Sequence, residues 1–142
     1  MTARSPSLDD LLGPDEPHAS FHDAALLSLR VDYGAQELTA EFNLCVGDPD
    51  ASGSEESERH RRGRLRIAGL AFWVMEAPDP SAEADFQPPW LTSDGPLDQC
   101  ETETAKSLIG RIPDEGVAWF LFFNNLNAFA YAGGNTASFQ WL

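Results

Sequence analysis

Residues 117–142, VAWFLFFNNLNAFAYAGGNTASFQWL, hold more than half of the chain's aromatic side chains and no charged residue, so any core must be built on them. Val117, Trp119, Leu121 and Phe123 alternate with Ala118, Phe120 and Phe122. Both faces are apolar, which suits a strand covered on both sides. Asn124, Asn125 and Asn127 then interrupt the run, and asparagine tolerates left-handed backbone and bonds its own main chain, so a turn is expected. Residues 128–132 read as the return strand, Gly133-Gly134-Asn135 as a second tight turn and residues 136–141 as the last strand. A single buried helix over residues 117–130 is the rival reading, but the aromatic content and the asparagines favour strands. Phe42, Trp119 and Phe122 are the expected core residues.

Upstream, residues 24–32 alternate as a strand with one wet face, and residues 37–46 give the cleanest period of two, with Leu38, Ala40, Phe42, Leu44 and Val46 on one side. The pair should form an antiparallel hairpin through Tyr33-Gly34-Ala35. Residues 47–62 contain no apolar side chain larger than alanine, too little to offset the entropy of ordering, and read as a mobile loop. At its end Arg59, Arg61, Arg62, Arg64 and Arg66 follow Glu55, Glu56 and Glu58, and local pairing of the two blocks explains both. Residues 65–75 read as a strand in which Gly69 marks a bulge. Pro78, Pro80, Pro88, Pro89 and Pro96 exclude a long helix or a central strand. This makes residues 77–103 a proline-rich acidic loop in which Phe86, Trp90 and Leu91 plug an open end of the sheet. Residues 97–112 suit helix and strand alike, with a strand favoured over residues 104–112.

A chain of 142 residues can bury roughly two-thirds of its unfolded surface and fold as one domain without metals or disulfides. The expected architecture is mainly β, an antiparallel curled sheet or sandwich of about six or seven strands with little helix. Residues 1–20 read as a flexible tail with one capped turn, Ser7 and Asp10 in capping-box positions before Leu11-Leu12. Residues 21–142 form the domain. No signal-peptide pattern and no apolar run near the roughly twenty residues a bilayer requires point to a soluble cytoplasmic protein. Cys45 and Cys100 are too few and too far apart for a disulfide framework and read as reduced thiols. A net charge of −14 argues against nucleic acid or an anionic membrane as partner and favours a basic protein. Glu76 to Glu103 carries eight acids and neither lysine nor arginine. Asp79, Glu83, Asp85 and Trp90 are therefore the candidate partner-binding residues, against the plainer reading that acidic loops keep the protein in solution.

No catalytic residue, metal site or cofactor is assigned. His18 and His22 are four residues apart, but Pro17 and the strand that follows exclude the helix that would align them, and no third ligand is in view. The plain reading of His22-Asp23 is that Asp23 caps a backbone turn while His22 packs on an aromatic edge. No serine or threonine sits in a nucleophile elbow, and no phosphate-binding glycine loop occurs.

Phe21-His22-Asp23-Ala24, the strand with Asp32 at its turn, the second alternating strand and Leu65-Arg66-Ile67-Ala68-Gly69-Leu70 together resemble a group of small bacterial β proteins that open with His-Asp-Ala or His-Asp-Ser. Some of these are classed as immunity proteins of polymorphic toxin systems. The resemblance covers about half of the chain, and the aromatic C-terminal part and the acidic loop fall outside it. It implies a non-catalytic binding protein, an immunity-type inhibitor that occludes a basic partner. A small-molecule-binding or hydrolytic β domain with its site near His22 is the alternative, and a structural subunit is a third.

Overall fold

The computed structural model describes residues 5–80 and 88–142. Six strands, β1 (Ser20–Asp32), β2 (Glu37–Cys45), β3 (His60–Met75), β4 (Trp90–Pro96), β5 (Val117–Phe123) and β6 (Ala128–Trp141), pair antiparallel throughout. They close into a barrel in the order β1-β2-β3-β6-β5-β4. Closure gives every strand a neighbour on both sides, although at the β1–β4 seam only Ala24 and Ala25 are paired. Among the described residues helix is confined to the four-residue α1 (Ser54–Ser57), the six-residue α2 (Glu103–Leu108) and three short 3-10 turns.

The period of two in β2 holds: Leu38, Ala40, Phe42 and Leu44 are buried inside the barrel, and Glu37, Thr39, Glu41 and Asn43 point outward. On β5 the inner row is Trp119, Leu121 and Phe123 and the outer row Ala118, Phe120 and Phe122, so both faces are apolar because both are covered, at least in part. Phe42 and Trp119 are core residues, each 1 % exposed, whereas Phe122 is half-buried on the outer face and does not belong to the barrel interior. Phe21 packs edge-on against Phe42 and Phe139, with ring centres 5.3 and 5.7 Å away.

Several further expectations are corrected. The Gly133-Gly134 pair is no turn: β6 runs straight through it for 14 residues. A Cβ on Gly133 would lie 2.5 Å from the Phe72 ring and one on Gly134 2.7 Å from an Ile67 methyl, so these glycines let β3 approach closely. Opposite them β3 carries Gly69 at φ +62° and slips register between Leu70 and Phe72, the irregularity its glycine announces. Residues 104–111 are helical rather than extended and only Ile112 takes extended backbone, because the Thr102 hydroxyl accepts from the Ala105 N–H as an N-cap and Ala105 and Leu108 bury one face against β5 and β6. The prolines do not exclude a strand: Pro88 and Pro89 precede β4 and Pro96 ends it, leaving its interior free to bond β1 and β5.

Another correction concerns the segment read as a tail. Leu8 and Leu12 are buried in the barrel core, 1 % and 5 % exposed. The Trp119 indole donates to the Pro6 carbonyl at 2.7 Å, the Trp141 indole to Leu12 at 3.2 Å, and the Ser5 hydroxyl accepts from the Ala118 N–H. Inward-facing tryptophans need an acceptor, and this segment supplies it while stoppering the barrel. Ser7 and Asp10 bond each other's main chain, as the capping box predicts.

The arginine block is also arranged differently from a local cluster. Strand β3 begins at His60, so Arg64 and Arg66 stand on its outer face and reach across to β2. Arg64 bonds Glu41 at 2.9 Å, and Arg66 forks onto Glu37. Arg59 and Arg61 converge on the buried Glu16, and among the described residues the 3.7 Å Arg59–Glu56 ion pair alone joins the two sequence blocks. The Arg59 guanidinium, helped by Arg61, holds the Glu16 carboxyl below its usual range against the opposing effect of burial. Within the expected loop, α1 forms and Val46 and Gly47 both donate to the Arg59 carbonyl, closing the loop at its neck.

Candidate functional site

The His22-Asp23 motif lies at a bulge in β1, where the strand keeps β2 on one side and meets β4 on the other. Ser20 pairs with Cys45 and Ala25 with Asn43, so β1 spends five steps against two on β2, and it then turns Ala24 and Ala25 toward Leu91 and Trp90 of β4. Asp23 takes φ +66° at this bulge, a conformation aspartate tolerates better than most residues. The His22 Nδ1–H donates to the Thr92 carbonyl across the seam at 3.0 Å, and its Nε2 is 3.6 Å from the Asp23 carboxylate. Both side chains are exposed, and the His22–Thr92 bond alone of these two contacts joins β1 to β4. His18 faces Asp48 instead, and no group of three His, Cys, Asp or Glu side chains among the described residues is placed to hold a metal.

Half-buried Asp94 on β4 is close to this seam. Burial, reinforced by the nearby Asp9 charge and opposed by His22, pushes its carboxyl up to about 6. Asp9 is itself engaged, accepting from the Phe21 N–H at 2.8 Å and the Ser20 hydroxyl at 3.1 Å.

Of the candidate partner-binding residues, Asp79 and Trp90 come together at one rim, while Glu83 and Asp85, like Phe86, lie outside the described residues. The asparagine turn between β5 and β6 holds both. Asn125 accepts from the Trp90 N–H at 2.9 Å and donates to the Pro88 carbonyl at 3.0 Å. Asn127, at φ +45°, donates to the Asp79 carboxylate at 2.9 Å, and Asp79 N–H bonds the Leu126 carbonyl. The turn residues therefore clamp both feet of the acidic segment. Leu91 is fully buried, as a plug should be, but the Trp90 side chain is 48 % exposed and does not plug the barrel.

The barrel interior itself is packed: its central void measures ≈ 10 Å³, room for about one water. A larger hollow of ≈ 400 Å³ lies on the outer wall, lined by Phe120, Phe122 and Phe129 below and by Gln99, Glu101 and Thr102 above. Phe129 contacts Phe122 and Phe120, with ring centres 4.8 and 6.3 Å apart, and stacks on Tyr131 at 5.9 Å. The Tyr131 hydroxyl bonds Thr102 at 2.8 Å, and burial pushes its pKa up, with the Glu76 charge adding to the effect. Sequence reasoning misses this groove. Its signal is the second apolar row of β5 and β6, which pattern alone assigns to a buried layer without saying that α2 covers only part of it.

The class these features define is a small, closed, six-stranded antiparallel barrel with a filled interior and its surface features on the outer wall. No family model matches the chain, and no curated protein matches its sequence. A crystal structure of an uncharacterized protein from Neisseria gonorrhoeae is similar at 11 % identity, covering 87 % of this chain and 96 % of that one, with a TM-score of 0.46.

Proposed function

We propose that this barrel is a non-catalytic binding protein that docks a basic protein partner through its acidic rim, in the manner of an immunity-type inhibitor. The observation that carries the reading is the half-exposed Trp90, set on a clamped rim within the stretch from Glu76 to Glu103, which holds eight acids and no lysine or arginine. A half-exposed aromatic on a hydrogen-bonded main chain, beside charge of one sign, suits an interface anchor with a steering rim. The described interior is packed, which supports a reading that uses the wall and rim. The charged outer face of β2 and β3 suits water, which fits a partner met in solution.

The test is capture of the partner from the native host, followed by binding kinetics at two salt concentrations. Asp79 is a partner of Asn127, so the charge variant is Glu83→Gln with Asp85→Asn and leaves Asp79 in place. The expected result is a basic partner whose on-rate falls with salt and with the double replacement, while Trp90→Ala raises the off-rate about tenfold or more. An acidic partner, or an on-rate indifferent to both changes, overturns the reading.

A further inference from the structure

The groove over Phe120, Phe122 and Phe129 combines three phenylalanine rings with one carboxylate, Glu101, and none of its lining residues is basic. Lys106 on α2 is engaged with Glu103 at 3.7 Å, and among the described residues Glu101 makes no ion pair. Glu76 adds a second negative charge beside the floor, where its carboxylate accepts from the Phe129 N–H at 2.7 Å. We propose that this groove seats an arginine side chain of the basic partner, with the guanidinium against the Phe122 and Phe129 rings and Glu101 as its counter-charge.

Three physical points select that occupant. Glu101 is exposed at the lip of the groove, so a purely apolar ligand would make no use of its charge, and an anionic one would be repelled by both glutamates. A guanidinium is planar, weakly hydrated and permanently charged, so it can lie on an aromatic face and still reach a carboxylate; an ammonium loses more hydration doing so. The volume, ≈ 400 Å³, is in the range of small-ligand sites and accommodates the side chain with its stem. The inference rests on the reading of a basic partner and places one of that partner's contacts on the outer wall.

The test titrates the full chain with N-acetyl-arginine amide and with N-acetyl-citrulline amide, its uncharged analogue of the same shape, and follows the phenylalanine ring signals by NMR. The arginine compound is expected to bind and shift the Phe120, Phe122 and Phe129 resonances, with the citrulline compound at least about tenfold weaker. Glu101→Gln should lower arginine affinity roughly three- to tenfold, and Phe122→Leu should do the same with the rest of the spectrum unchanged. Equal binding of the two compounds, or shifts that map away from the three rings, overturns the proposal. A basic partner that keeps its affinity for both variants removes the groove and leaves rim docking standing. Arginine bound in the groove with no basic partner captured does the reverse.

Discussion

On β2 and β3 the outward side chains include Glu37, Glu41, Arg64 and Arg66, which meet one another as ion pairs in water; on β5 and β6 they are Ala118, Phe120, Phe129 and Tyr131, and α2 lies over part of them. The inner rows of the two halves are alike. The difference lies outside, and it sets what each half can do. A paired, solvated wall is complete in itself, whereas an apolar wall must be covered, and α2 with the 3-10 turn at Leu97–Gln99 covers only the part where Ala105, Leu108 and Leu97 meet Ala118 and Tyr131. The groove is what remains.

The largest effect that tests this contrast is Leu108→Ala, which unpins α2 from the apolar wall. Chemical denaturation should show a loss of about 2–4 kcal/mol, because a buried leucine is removed from a site that collapses poorly. A loss below about 1 kcal/mol would make the helix an ornament and the two walls equivalent.

A smaller effect belongs to Asp94. Its folded pKa lies above the ordinary 3.8, at about 6, so between those values the native state keeps a proton that the unfolded chain has released. Stability should therefore fall as pH rises from about 4 to about 6. Asp94→Asn should flatten that slope and raise stability at neutral pH by on the order of 1 kcal/mol, allowing for solvent screening of a half-buried group. Melting temperatures across that range check it, and an unchanged slope in the variant would assign the effect elsewhere.

The smallest expectation concerns the paired wall. A double-mutant cycle on Glu41 and Arg64 should give a coupling of about 0.5 kcal/mol or less that shrinks in salt, since both side chains keep access to water. A coupling above about 1.5 kcal/mol would mean that the ion pairs hold the barrel as firmly as the helix does.

The alternation of β2, its hairpin with β1, the two-sided β5 and the mainly antiparallel β class were legible because strand period and turn chemistry are local. The asparagine turn was legible as a turn. Its second task, holding Pro88, Trp90 and Asp79, was not, because those partners stand 35 to 48 residues away. At the candidate sites the exposed Trp90 and the strained Asp23 were found as residues, but their surroundings depend on β4 meeting β1, a contact across some 65 residues of chain that no local pattern encodes.

The sequence by itself determined which side chains must be hidden and the period at which they recur, since apolar burial depends on composition and spacing. Only the tertiary structure decided what hides them. Leu8 and Leu12 look like parts of a tail until Trp119 and Trp141 require carbonyl acceptors at the barrel mouth. Gly133 and Gly134 look like a turn until β3 is laid against them. Residues 103–108 become helical because an apolar outer wall lies beneath Ala105 and Leu108. In each case the deciding interaction joins residues far apart in the chain, and its free energy exists only once the barrel has closed.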